Sequence, residues 1–234
     1  MSSFDASDET LTPLILTVPG LGNSGPGHWQ TLWEAQRGDC RRVELGMWDQ
    51  PHRNTWVNQL NLAIRAAADN AQPRPIILAA HSLGCLAVAW WAKLEAADAS
   101  RLVAGALLVA PPEAEHSAID HRLAGFAPVP AGPLPFPAIL AASRNDPYMA
   151  MRMARRLAAN WGATFADAGA IGHINAQSGI ADWPFGLFLL GRLLKNTTPS
   201  GRICADAPAQ AGEVSRLAHV RETSPAPDGG GLKL

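Results

Sequence analysis

Ile76-Ile-Leu-Ala-Ala-His-Ser-Leu-Gly-Cys85 decides how this chain is read. Its first five residues are apolar without alternation, as a strand buried on both faces should be. They run into His81-Ser82-Leu83-Gly84, and a helical pattern, Leu83–Ala97, starts at once. A serine on such a tight strand-to-helix turn stands in the context of a nucleophile elbow, its hydroxyl exposed above the sheet. The turn crowds the positions two before and two after the serine, so both must be small. Here they are Ala80 and Gly84. The usual pattern has glycine at the first position, so this is G-x-S-x-G with one methyl added. The Leu83 N–H, at the helix N-terminus, is placed to hold an oxyanion. The plainer reading is a serine N-cap on an ordinary helix.

Outward from this segment the chain alternates. Apolar runs with strand character occur at Leu14–Val18, Arg42–Leu45, Ile76–Ala80, Ala106–Ala110, Ala138–Ala142 and Thr164–Ala168. Helical patterns lie between and after them, at Gly27–Arg37, Thr55–Asn70, Leu83–Ala97, Tyr148–Trp161 and Trp183–Leu194. Strands alternating with helices imply βαβ units, a mostly parallel sheet and right-handed crossovers. Pro111–Pro137 breaks the rhythm: seven prolines and little periodicity make it a long loop, with one helical turn near Ser117–Leu123. A loop of that length is expected to roof a pocket, and its scarcity of charge points to an apolar or aromatic acyl group. Three regions follow: a flexible N-terminus over 1–12, one α/β domain over 13–195, and a disordered tail over 196–234, rich in Pro, Gly, Ser, Thr and Ala.

A serine is a weak nucleophile and needs a base. In elbow-bearing α/β proteins the partners follow as Ser, then Asp or Glu, then His. Asp146 lies just past the fifth strand, in Ala142-Ser-Arg-Asn-Asp-Pro-Tyr148. His173 lies in the loop after the sixth, in Ala170-Ile-Gly-His-Ile-Asn175. Both fall at the carboxyl edge of the sheet, with Ser82. Asp167, at the end of the sixth strand, competes for the acid role. A glycine-rich loop, Val18-Pro-Gly-Leu-Gly-Asn-Ser-Gly-Pro-Gly-His-Trp29, follows the first strand and should supply a second oxyanion donor. Leu21 N–H is the first choice and Gly22 the alternative. The nominal G-x-G-x-x-G from Gly20 to Gly25 lacks the acidic partner a dinucleotide site needs, and Pro26-Gly27 delays the helix.

Other residues say less. His81 is read as a neighbour that shapes the site. His28 is a cleft-lining residue or a solvated helix-start histidine. Cys85 is a small buried hydrophobe. Trp29, Trp33, Trp56, Trp90 and Trp91 fall at helical spacing and read as core. His116, Asp120 and His121 carry no supporting metal motif, so a mobile polar loop is favoured.

Composition bounds the function. The chain has 234 residues, 47% hydrophobic and 17% charged, enough for a sizeable core. A net charge of −1 leaves no basic field for nucleic acid. Three widely spaced cysteines form no disulfide framework. With no signal-like N-terminus and no long apolar run, a cytoplasmic protein that meets no membrane is expected.

Four segments resemble the family of small serine hydrolases typified by YdeN and by a retinoblastoma-binding protein. They are Pro19–Glu34, Ala80–Cys85, Ala142–Tyr148 and Gly172–Gly179, in family order. The resemblance implies an α/β-hydrolase fold with three layers, six mostly parallel strands, helices on both faces and no large lid domain. It implies a Ser–Asp–His triad at Ser82, Asp146 and His173 and leaves the substrate undefined; the triad itself is read as hydrolysing esters or amides of small acyl substrates without metal or organic cofactor. The family's Ala-His-Ser-x-Gly elbow also accounts for Ala80. The L-x-C-x-E motif through which a namesake binds a pocket protein does not occur here. Rival readings are an interaction module that has lost turnover, and an acyltransferase.

Overall fold

The computed structural model describes residues 12–70, 72–115 and 120–197, with side chains to 195. The expectations for 1–11 and for 198–234 lie outside these residues, as do His116 and residues 117–119 of the predicted turn.

Six strands form one sheet: β1 (Leu14–Val18), β2 (Cys40–Arg42), β3 (Ile76–His81), β4 (Val103–Val109), β5 (Ala138–Ala142) and β6 (Thr164–Asp167). Their order is β2-β1-β3-β4-β5-β6, and every pairing is parallel. The helices are α1 (Trp29–Gln36), α2 (Arg53–Ala68), α3 (Leu83–Leu94), α4 (Ala96–Leu102), α5 (Met151–Asn160) and α6 (Pro184–Thr197).

The pleat divides the strand residues between two cores. Leu16, Leu78, Ala80, Leu108 and Leu140 face α2, α3 and α5. Ile15, Ile77, Ala79, Leu107 and Ile139 face α1 and α6. With apolar partners on both sides, the strands read as continuous apolar runs, and the three-layer α/β-hydrolase architecture follows. Among the described residues no helix is long and apolar enough to cross a membrane.

Three expectations need correction. The second strand lies at Cys40–Arg42 rather than Arg42–Leu45. Its register pairs Ile15 with Cys40 and Thr17 with Arg42, and β1 ends one residue later. Val43 and Leu45 are buried, but as loop residues, so apolarity there marks packing and not pairing. The helix expected over Leu83–Ala97 stops at Leu94, and α4 begins at Ala96. Arg65 of α2 holds this corner through Glu95 (2.6 Å) and Asp98 (3.4 Å).

The third concerns Pro111–Pro137. Its described part contains a 3-10 helix at His121–Phe126 and packs mainly against the helices. Indole N–H groups reach its carbonyls: Trp90 to Phe126 (2.8 Å) and Trp161 to Pro130 (2.9 Å). Phe126 and Phe136 are buried. These bonds satisfy loop carbonyls beside the core and fix the loop along the flank. Only Leu123 of its described residues reaches the cleft beside Ser82.

Candidate active site

β3 delivers Ser82 to the sheet's carboxyl edge, and α3 begins at the next residue. Ser82 has φ 52° and ψ −125°, a conformation disfavoured for any side-chain-bearing residue and stabilised by its surroundings. Its side chain makes no cap bond to the helix, which removes the plain N-cap reading. The need for small neighbours becomes specific here. A Cβ on Gly84 would lie 2.3 Å from the Val18 carbonyl oxygen and 2.6 Å from that of Pro19. A Cβ on Gly20 would lie 2.8 Å from Ser82 Cβ. Elbow and glycine-rich loop are therefore in backbone contact. Gly84→Ala is expected to destabilise the fold by about 3 kcal/mol, measured as a lower urea midpoint, because two carbonyls must move.

The loops after β5 and β6 bring Asp146 and His173 to Ser82. Ser82 Oγ lies 2.9 Å from His173 Nε2, and His173 Nδ1 lies 2.9 Å from both Asp146 oxygens. Asp146 also accepts the Tyr148 N–H (2.9 Å). Asp167 is elsewhere: it accepts from Arg144 (3.1 Å) and from Gly169 N–H (3.0 Å).

The histidine loop is tied at consecutive residues. Ile171 N–H donates to Ser143 Oγ (2.9 Å), and Gly172 N–H to Asn145 Oδ1 (2.7 Å). From the other side, His81 Nε2–H donates to the His173 carbonyl (2.9 Å), and Trp29 Nε1–H to that of Ile174 (3.0 Å). Ser143, Asn145 and Trp29 escaped the sequence reading as contributors to this site. Adjacency of Ser143 and Asn145 to Asp146 was the available signal; Trp29 offered none. His81 is the expected neighbour, acting through a backbone carbonyl.

Of the oxyanion candidates, Gly22 is engaged, its N–H donating to the Trp48 carbonyl (2.9 Å). Leu21 and Leu83 N–H have no acceptor among the described residues. The cleft above Ser82 has a volume of about 710 Å³, and no carboxylate, lysine or arginine lines it among the described residues. His121 is exposed and Asp120 is paired with Arg122 (2.6 Å).

His28 is not solvated. It lines the cleft, 4% exposed, and packs edge-on to His81 with ring centroids 4.6 Å apart. Its Nδ1 accepts the Gln30 N–H (3.2 Å), and its buried Nε2 has no partner. Burial, then the charges of Arg42 and His173, lower its pKa to about 4. Burial also holds His81 well below the usual histidine range. Cys85 is buried and its thiol pKa is raised by that burial, as a small hydrophobe requires.

These histidines set a stability profile. The unfolded chain binds protons near pH 6.5, whereas the folded chain keeps His28 neutral to about pH 4. Neutral His28 contributes fully above pH 6.5, and that contribution is lost as pH falls through about 4. For His28 alone the loss is about 3 kcal/mol. Urea unfolding of wild type and His28→Phe at pH 7 and pH 4.5 checks this: the fall should be smaller in the variant.

Comparison with known proteins gives the family and agrees with the fold. Residues 15–192 match the family described as serine hydrolase. A YdeN-like hydrolase of Pectobacterium atrosepticum is 32% identical, with a TM-score of 0.68 over 80% of this chain and 93% of its own. The ydeN gene product of B. subtilis is 19% identical, with a TM-score of 0.62 over 79% and 100%. Est1E of Butyrivibrio proteoclasticus shares the fold, at 10% identity and a TM-score of 0.58 over 80% and 90%. No curated protein matches the sequence. The chain belongs to the YdeN type of the serine hydrolase family, within the α/β-hydrolase superfamily.

Proposed function

We propose that this hydrolase cleaves ester or amide bonds of small acyl substrates through Ser82, His173 and Asp146. The observation that carries the reading is the unbroken hydrogen-bond chain from Ser82 Oγ through the imidazole to the Asp146 carboxylate. Ser82 Oγ attacks the scissile carbonyl carbon as its proton passes to His173 Nε2. Asp146 accepts from Nδ1–H, fixes the tautomer and stabilises the imidazolium. The carbonyl oxygen becomes an oxyanion, held by the N–H groups of Leu83 and Leu21, each donor contributing roughly 3 kcal/mol. The bond to the alcohol or amine then breaks, and Nε2–H returns the proton to that leaving group. Water, deprotonated by the same nitrogen, attacks the acyl-enzyme; serine leaves and regains its proton. No step draws on a metal or an organic cofactor.

A fluorophosphonate probe tests the reading, since it reacts with activated serines. Covalent labelling mapped to Ser82 supports it. Labelling at another residue refutes the assignment to Ser82, and no labelling in folded protein favours an interaction module.

A further inference from the structure

We infer that the cleft selects substrates carrying a neutral hydrogen-bond acceptor beyond the scissile carbonyl, because Asn23, His28, Asn145 and Asn175 line it with their donors only. The inference rests on the hydrolase reading for the position of the scissile bond, and on the lining side chains for the rest.

Each of the four has its acceptor engaged within the chain. Asn23 Oδ1 accepts from Ser24 N–H (2.7 Å) and Arg42 Nη1 (3.3 Å). Asn145 Oδ1 accepts from Gly172 N–H (2.7 Å) and Ser143 Oγ (2.9 Å). Asn175 Oδ1 accepts from Gln177 N–H (3.0 Å), and His28 Nδ1 from Gln30 N–H (3.2 Å). These bonds settle the amide orientations and the imidazole tautomer, because a flipped amide would set N–H against N–H. What each has left is a donor: three Nδ2–H₂ groups and one Nε2–H, with no partner among the described residues. Against them stands one fixed side-chain acceptor among the described lining residues, His81 Nδ1, since its Nε2–H is engaged by the His173 carbonyl. Gln177, Ser178 and Tyr148 can present either sense.

A wall of this kind discriminates by what it leaves unpaired. A carbonyl or ether oxygen accepts from these donors. A hydrocarbon of the same length covers them and leaves them unpaired, the case in which polar sites reject analogues strongly. No lysine or arginine lines the cleft among the described residues, so a neutral oxygen suits it better than a carboxylate. The apolar acyl preference expected from Pro111–Pro137 gives way, because the described residues of that loop contribute only Leu123.

The test compares methyl 4-oxopentanoate with methyl pentanoate, which differ by one keto oxygen. Their binding to Ser82→Ala protein is measured by ligand-observed NMR titration, and their hydrolysis by wild type in parallel. The expected result is binding of the oxo ester about tenfold tighter. Asn23→Asp and Asn175→Asp, each built on Ser82→Ala, keep the internal acceptor and replace the free amide by oxygen. Each should cut that ratio several-fold. Equal affinities, or a ratio unchanged in both variants, overturn the inference. Selective binding without turnover of either ester would count against the hydrolytic mechanism and leave the donor wall standing.

Discussion

Ser82→Ala is expected to lower turnover of an activated ester by about 10⁶-fold while leaving the fold intact. Losses of that size accompany removal of a nucleophile that acts as a unit with its base. The change deletes one hydroxyl whose side-chain partner among the described residues is His173 Nε2. It leaves Gly20 and Gly84 against the elbow, and alanine meets the same backbone demand at φ 52° that serine meets. The measurement pairs turnover with urea unfolding. A folded variant retaining a tenth of wild-type activity would place the nucleophile elsewhere.

The second large effect separates two aspartates. Asp146→Asn should reduce turnover about 10⁴-fold, because an amide keeps the hydrogen-bonding shape but favours the wrong histidine tautomer. Asp167→Asn should change it by less than about tenfold. Its carboxylate meets Arg144 and Arg155 on the exposed side of the sheet edge, where ion pairs contribute little. The Gly169 N–H bond makes it a strand-end fixture. Both variants are assayed on one activated ester at neutral pH, with circular dichroism as the folding control. An active Asp146→Asn beside a crippled Asp167→Asn would reverse the acid assignment.

Much of this was legible in the chain because it is local or ordered. Apolar runs without alternation announce a sheet covered on both faces, and Ile76–Cys85 carries strand, turn and helix start in ten residues. Chain order together with position after the fifth and sixth strands pointed to Asp146 and His173, with Asp167 as a competitor, and the fold brings the first two to Ser82. What stayed hidden depends on partners distant in sequence. Cys40–Arg42 is a strand because of its register on β1, and its own composition points one step downstream to Val43 and Leu45. The flank position of Pro111–Pro137 follows from two indole N–H groups on α3 and beside α5. The ties from His81 and Trp29 to the histidine loop span 92 and 145 residues, beyond any spacing argument.

That loop has a thermodynamic consequence. Ordering a flexible segment when a ligand arrives costs about 1–2 kcal/mol of backbone entropy per residue. Residues 171–174 are already held by Ser143, Asn145, Asp146, His81 and Trp29. The entropy of fixing the imidazole is therefore lost at folding, when the whole sheet shares it, and not at each encounter. Affinity gained from the acyl group need not be diverted to organising the base, and can be expressed instead in lowering the barrier.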